Sequence, residues 1–130
     1  MPDQQISSER LQYLETLSND ALLEDLGSAL FENDAGGFAR PPKAAELIER
    51  ATAWLKDQSE ALTIRICGSV ELRRLVENEP ANREKVIIKI LDILATKYSG
   101  LPLATIGELL SRSGVSSYCA SHWAASRGVT

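Results

Sequence analysis

Histidine and methionine each occur once in this 130-residue chain, and cysteine twice. That leaves little from which to build a metal centre. Cys67 and Cys119 lie far apart, neither belongs to a Cys-x-x-Cys pair, and His122 has no second histidine to join it. Zinc needs such ligands in sets at short spacing, so no metal or other cofactor is expected. Aromatic residues make up only 5%, and a core therefore has to come from Leu, Ile, Val and Ala. Proline and glycine, 5 and 8 residues, are too few for a low-complexity chain. The most apolar run, "VIIKILDILA", is broken by Lys89 and Asp92. It falls well short of the roughly 20 apolar residues that span a bilayer. "MPDQQISSER" has neither the basic start nor the apolar stretch of a secretory signal. Together these absences predict a cytoplasmic protein without membrane contact, its two thiols reduced and packed as small hydrophobes.

An excess of positive charge is missing too. The formal net charge is −4, and residues 1–40 hold 8 acids against 2 bases. Chains that grip phosphate backbones usually show the opposite balance. Glu15, Asp20, Glu24, Asp25 and Glu32 therefore form either an acidic surface for a basic partner or an internal counterweight to Arg65, Arg73 and Arg74. The internal arrangement is the simpler expectation, because exposed charge is ordinarily just solvated. The three arginines are in turn candidate contacts for an anion or a partner. No glycine loop is followed by Lys-Ser/Thr, so "SGLP" and "DAGG" are not phosphate loops.

What the chain does have is helical periodicity nearly throughout. Leu11, Leu14 and Leu17 recur at helical spacing behind Ser8, which predicts a first helix over 8–17. Leu22, Leu23, Leu26, Ala29 and Leu30 form one face of a second over 20–32. "NDAGGFARPP" ends it with an exposed loop over 33–41, pinned if at all by Phe38. Pro42 suits the first turn of a third helix, which runs to Asp57. Ser59 caps a fourth, broken at Gly68-Ser69, and Pro80 closes that region. In "NREKVIIKILDILATKY" the apolar residues cover well over half of the helical circumference, which places residues 83–98 at the centre of a bundle. Gly100 and Pro102 then suit a left-handed turn and a helix start, so the next helix folds back on the central one. The expected fold is all-α: a single compact domain over 1–130, with six or seven helices around the buried helix at 83–98.

The stretch from Leu103 to Ser126 has the outline of a helix-turn-helix DNA reader: a helix, a turn with Gly114 and Val115, then a helix opened by Ser116. Its candidate DNA contacts are Arg112, Ser116, Ser117, Ser121 and Arg127. However, the position where the two helices would cross closely holds the bulky Leu110. Only two arginines, offset by Glu108, are present to meet phosphate, and such readers usually place several bases there. A packed corner between core helices is the simpler expectation. His122 lies three residues from Cys119, close enough to touch on one helix. Thiolate catalysis also needs an oxyanion site and an orienting third group, and no motif supplies either. The chain is expected not to be an enzyme. The function expected is that of a small interaction or adaptor module acting on another protein, with the general character of inhibitors and immunity-type proteins. A second copy of the chain is a further candidate partner, and DNA binding through residues 103–126 is the second reading.

Overall fold

The computed structural model describes residues 7–35, 42–79, 82–112 and 114–128. Among these, every regular element is a helix. There are eight, where six or seven were expected: α1 (Ser8–Thr16), α2 (Asn19–Ala35), α3 (Ala44–Asp57), α4 (Ser59–Cys67), α5 (Val70–Asn78), α6 (Arg83–Ala95), α7 (Leu103–Ser111) and α8 (Val115–Gly128). The fold class is all-α, as the periodicity implies.

The starts of α1, α2, α5 and α6 follow side-chain oxygens that accept the orphan N–H groups of a first turn. Ser7 Oγ accepts from the Arg10 N–H at 3.1 Å and Ser18 Oγ from Ala21 at 3.0 Å. Ser69 Oγ and Asn82 Oδ1 do the same for Leu72 and Lys85, both at 3.1 Å. Two expected starts are displaced. Ser7 rather than Ser8 caps α1, and Ser59 already lies inside α4. Pro42 precedes α3 instead of opening it; there the Glu46 carboxylate accepts from the Lys43 N–H at 2.8 Å. Helix α2 runs to Ala35, so residues 33–35 of the expected loop are helical. Phe38 and Pro80 lie outside the described residues. Gly100 (φ 72°) and Gly114 (φ 91°) take the left-handed conformation that each turn needs.

Helix α6 is the axle of the core. Val86, Ile87, Ile90, Leu91 and Leu94 are buried, Ile90 completely at 0% exposure. It packs against α4, α5 and α7, and Leu11 of α1 joins Ile87 and Leu91 in a satellite cluster. Gly107 sits where α7 crosses it; a Cβ there would stand 3.5 Å from Ile87 Cγ2 and 3.7 Å from Ile90 Cγ2. The close small-residue crossing of α7 is thus with α6, not with α8 as a helix-turn-helix pattern has it. Helices α2 and α3 pack closely along one another, and among the described residues they join the rest chiefly through α7 and α4. Gly27 makes their crossing possible, since a Cβ on it would run into the Leu47 backbone.

The two cysteines overturn an expectation. Cys67, at the end of α4, and Cys119, on α8, are both buried as foreseen, but they are joined in a disulfide with a Cα–Cα distance of 5.4 Å. Helical packing brings together two residues that the sequence separates by 52 positions. No helix among the described residues is long and apolar enough to cross a membrane.

Candidate functional site

Helix α1 buries Leu11 and Leu14 and leaves Tyr13 53% exposed. Its position is set by two arginines from distant elements. Arg83 Nε donates to Glu15 Oε2 at 2.8 Å, and its Nη2 donates to Glu108 Oε2. Arg112 donates from Nε to the same Glu108 oxygen at 2.8 Å, from Nη1 to Asn19 Oδ1 at 2.9 Å and from Nη2 to the Leu14 carbonyl at 2.9 Å. Glu108 is only 1% exposed, and its Oε1 has no hydrogen-bond partner among the described residues. A buried carboxylate held by two guanidiniums costs heavily if either partner is lost. So the acidic N-terminal part is held by Arg83 and Arg112, not by Arg65, Arg73 and Arg74.

The five acidic residues separate in three dimensions. Glu15 is taken up by Arg83. Asp25 accepts from Thr105 Oγ1 at 2.7 Å, which ties α2 to α7. Asp20, Glu24 and Glu32 are exposed and form no ion pair among the described residues. Helical spacing puts Asp20 and Glu24 opposite Leu22 and Leu26, which are buried at 0% exposure, and Asp25 and Glu32 on the flank between the two faces. Along this side a groove of about 400 Å³ opens between α1, α2 and α3, with Tyr13, Leu17, Ala21, Glu24, Asp25 and Leu47 in its lining. Arg10 is the one base in that lining, its guanidinium 5.6 Å from the Tyr13 ring centroid. The groove therefore joins Leu14, Leu17 and Leu47 and an exposed aromatic ring to two carboxylates, Glu24 and Asp25, while Asp20 and Glu32 lie on the same helix outside its lining. A larger cleft of about 690 Å³ lies between α1 and the α5–α6 connection. Its guanidinium, Arg83, is already committed to Glu15 and Glu108.

Arg65, Arg73 and Arg74 do not converge on one contact. Arg73 Nε pairs with Glu77 Oε2 at 3.2 Å, and its guanidinium lies 5.0 Å from the Trp123 ring. Arg65 donates to Thr96 Oγ1 at 3.5 Å. Arg74 stands near Glu71, whose carboxyl is held below its usual range first by the Lys89 hydrogen bond at 2.7 Å and then by the Lys89 charge, with Arg74 adding to it.

Of the candidate DNA contacts, Ser116, Ser117 and Ser121 are exposed on α8. Arg112 is spent internally on Glu108, Asn19 and α1. The Arg127 side chain lies outside the described residues. Cys119 is bonded to Cys67, so it is no thiolate for His122 to activate. Comparison with models of known families, with curated proteins and with solved structures finds no match to this chain.

Sequence reasoning missed Glu108, Gly27 and the cysteine pair. Glu108 sits between buried Gly107 and half-buried Leu109 on a strongly apolar helix, and a lone carboxylate inside such a run is the signal that could have singled it out. Nothing local marks Gly27 as a crossing point.

Proposed function

We propose that the chain is a non-enzymatic interaction module that binds a basic segment of another protein in the α1–α2–α3 groove. The observation that carries this reading is exposed Glu24 in the lining of a groove with an exposed tyrosine, on a helix whose Asp20, Glu24 and Glu32 form no ion pair among the described residues. Lysine or arginine side chains of the partner meet the rim, and an apolar residue meets Tyr13 and Leu17. Charge of this kind raises the association rate and selectivity more than the final affinity. Adaptor and inhibitor roles both fit such a surface. The internal use of Arg112 removes one of the few bases on which DNA binding through residues 103–126 rests.

A photo-crosslinking amino acid placed at position 28, inside the groove, tests the reading against one placed at position 60 on α4. A specific protein captured from position 28 alone, and lost with Glu24→Lys, supports it. Equal capture at both positions, or capture indifferent to Glu24→Lys, overturns it. An electrophoretic shift of duplex DNA near ~50 mM salt, where phosphate contacts are strongest, would instead favour the DNA reading. A cytoplasmic place of work belongs to the same proposal. The Cys67–Cys119 disulfide weighs against it, since a reducing cytoplasm keeps such a pair as thiols at rest, and thiol trapping in intact cells that finds the pair wholly oxidised overturns this location.

A further inference from the structure

The Cys67–Cys119 bond ties α8 to α4 covalently, beside the packing of α8 on α4 and α7. Among its described side chains, Val115, Cys119 and Trp123 are the buried ones. Two side-chain hydrogen bonds reach it from α4: the Trp123 indole N–H donates to the Cys67 carbonyl at 2.9 Å, and Thr63 Oγ1 donates to the Tyr118 hydroxyl at 3.3 Å. No ion pair joins it to the body among the described residues; Arg73 over the Trp123 ring is the one cationic contact. The helix is also poorly suited to persist alone. Ser116, Ser117, Ser121 and His122 are weak helix formers, and isolated helices of such length are marginal in water. Helix α6, with five buried aliphatic side chains and neighbours on several sides, is held very differently.

We infer that Cys67–Cys119 is a reversible thiol–disulfide exchange site, with a dithiol as its co-substrate, and that its reduction releases α8 from the body of the protein. Cys67 is the sulfur attacked first. Both cysteines are buried, at 4% and 0% exposure, and Cys67 ends α4 beside exposed Gly68, so the attack follows a local opening at that helix end. A thiolate of the dithiol forms a mixed disulfide with Cys67 as the Cys67–Cys119 bond breaks, and Cys119 leaves as a thiolate. The second thiolate of the dithiol then closes on its own mixed-disulfide sulfur and expels Cys67. Two electrons pass from dithiol to cysteine pair, and the two dithiol protons end on Cys67 and Cys119. A disulfide of the same class runs the step in reverse. Release of α8 uncovers the part of α4 against which Trp123 packs, a surface separate from the acidic groove.

Amide hydrogen exchange read by mass spectrometry on the full chain, oxidised and then reduced with dithiothreitol without denaturant, tests the inference. The expected result is that amides of α8 accelerate at least about tenfold more than those of α6, since local opening and global unfolding are separable in this way. The Cys67→Ala/Cys119→Ala variant should show the same pattern permanently and ignore dithiothreitol. If that variant fails to fold, the reduced natural chain still decides the matter. Equal acceleration of α6 and α8, no acceleration of α8, or a disulfide that resists dithiothreitol in the native protein each overturns the inference.

Discussion

Glu108 concentrates at one residue what holds the N-terminal part in place. Its carboxylate is buried between the guanidiniums of Arg83 and Arg112, and those side chains reach on to Glu15, Asn19 and the Leu14 carbonyl. Glu108→Ala removes the charge shared by Arg83 and Arg112, but both are partly exposed and keep other partners, so a loss of about 1.5–3 kcal/mol in urea unfolding is expected. Glu108→Gln keeps an acceptor in place and should lose less. Tyr98 offers a second test at this scale. Its hydroxyl donates to Gln58 Oε1 at 2.9 Å, its ring meets Trp54 edge-on at 5.6 Å, and burial raises its pKa above the ordinary 10.0. A raised phenol pKa means that the unfolded chain gives up its proton first. The stability from this group is therefore complete below pH 10 and falls as pH rises beyond it. Melting temperatures measured across that range should drop more steeply for the natural chain than for Tyr98→Phe.

At the scale of elements, two glycines at helix crossings predict opposite outcomes for the same substitution. Alanine gains about 1 kcal/mol of helix propensity over glycine. At Gly27 that gain is outweighed, because the new Cβ meets the rigid Leu47 backbone and has to push α3 away from α2; Gly27→Ala should lower stability by about 1–3 kcal/mol. At Gly107 the Cβ finds ordinary contact distance to Ile87 and Ile90, so Gly107→Ala should be neutral or stabilising. Thermal unfolding of both variants checks the contrast. Helix α6 carries the sharpest expectation. Ile90 is fully buried among aliphatic neighbours, and Ile90→Asp puts a carboxylate into that apolar cluster. Circular dichroism should show loss of the cooperative helical transition; a soluble, cooperatively melting variant would remove α6 from the centre of the fold.

Over the whole molecule, one covalent link and one charge asymmetry matter most. The disulfide closes a loop across 52 positions, and loop-closure entropy for that length amounts to about 4 kcal/mol. Cys67→Ala/Cys119→Ala should lower the unfolding free energy by up to that amount relative to the oxidised chain, read from urea midpoints. The charge asymmetry is resolved unevenly. Glu15 is neutralised through a tertiary contact, whereas Asp20, Glu24 and Glu32 stay open to solvent beside the groove. An interaction module fits that pattern because a fold can tolerate exposed like charge where a partner supplies the opposite sign.

Much of the architecture was legible in the sequence for a definite reason. Helical period, capping side chains and left-handed glycines act over a few residues, so "NREKVIIKILDILATKY" declares a buried helix, and Gly100 and Gly114 declare their turns. The acidic candidates were legible as residues, but not which of them would remain unpaired. Pairing Cys67 with Cys119, seating Glu108 between Arg83 and Arg112, and crossing α2 over α3 at Gly27 all depend on how the helices are arranged in space. No local pattern encodes that arrangement. Packing decides it, and with it the choice of which charges are consumed inside the fold and which are left to meet another molecule.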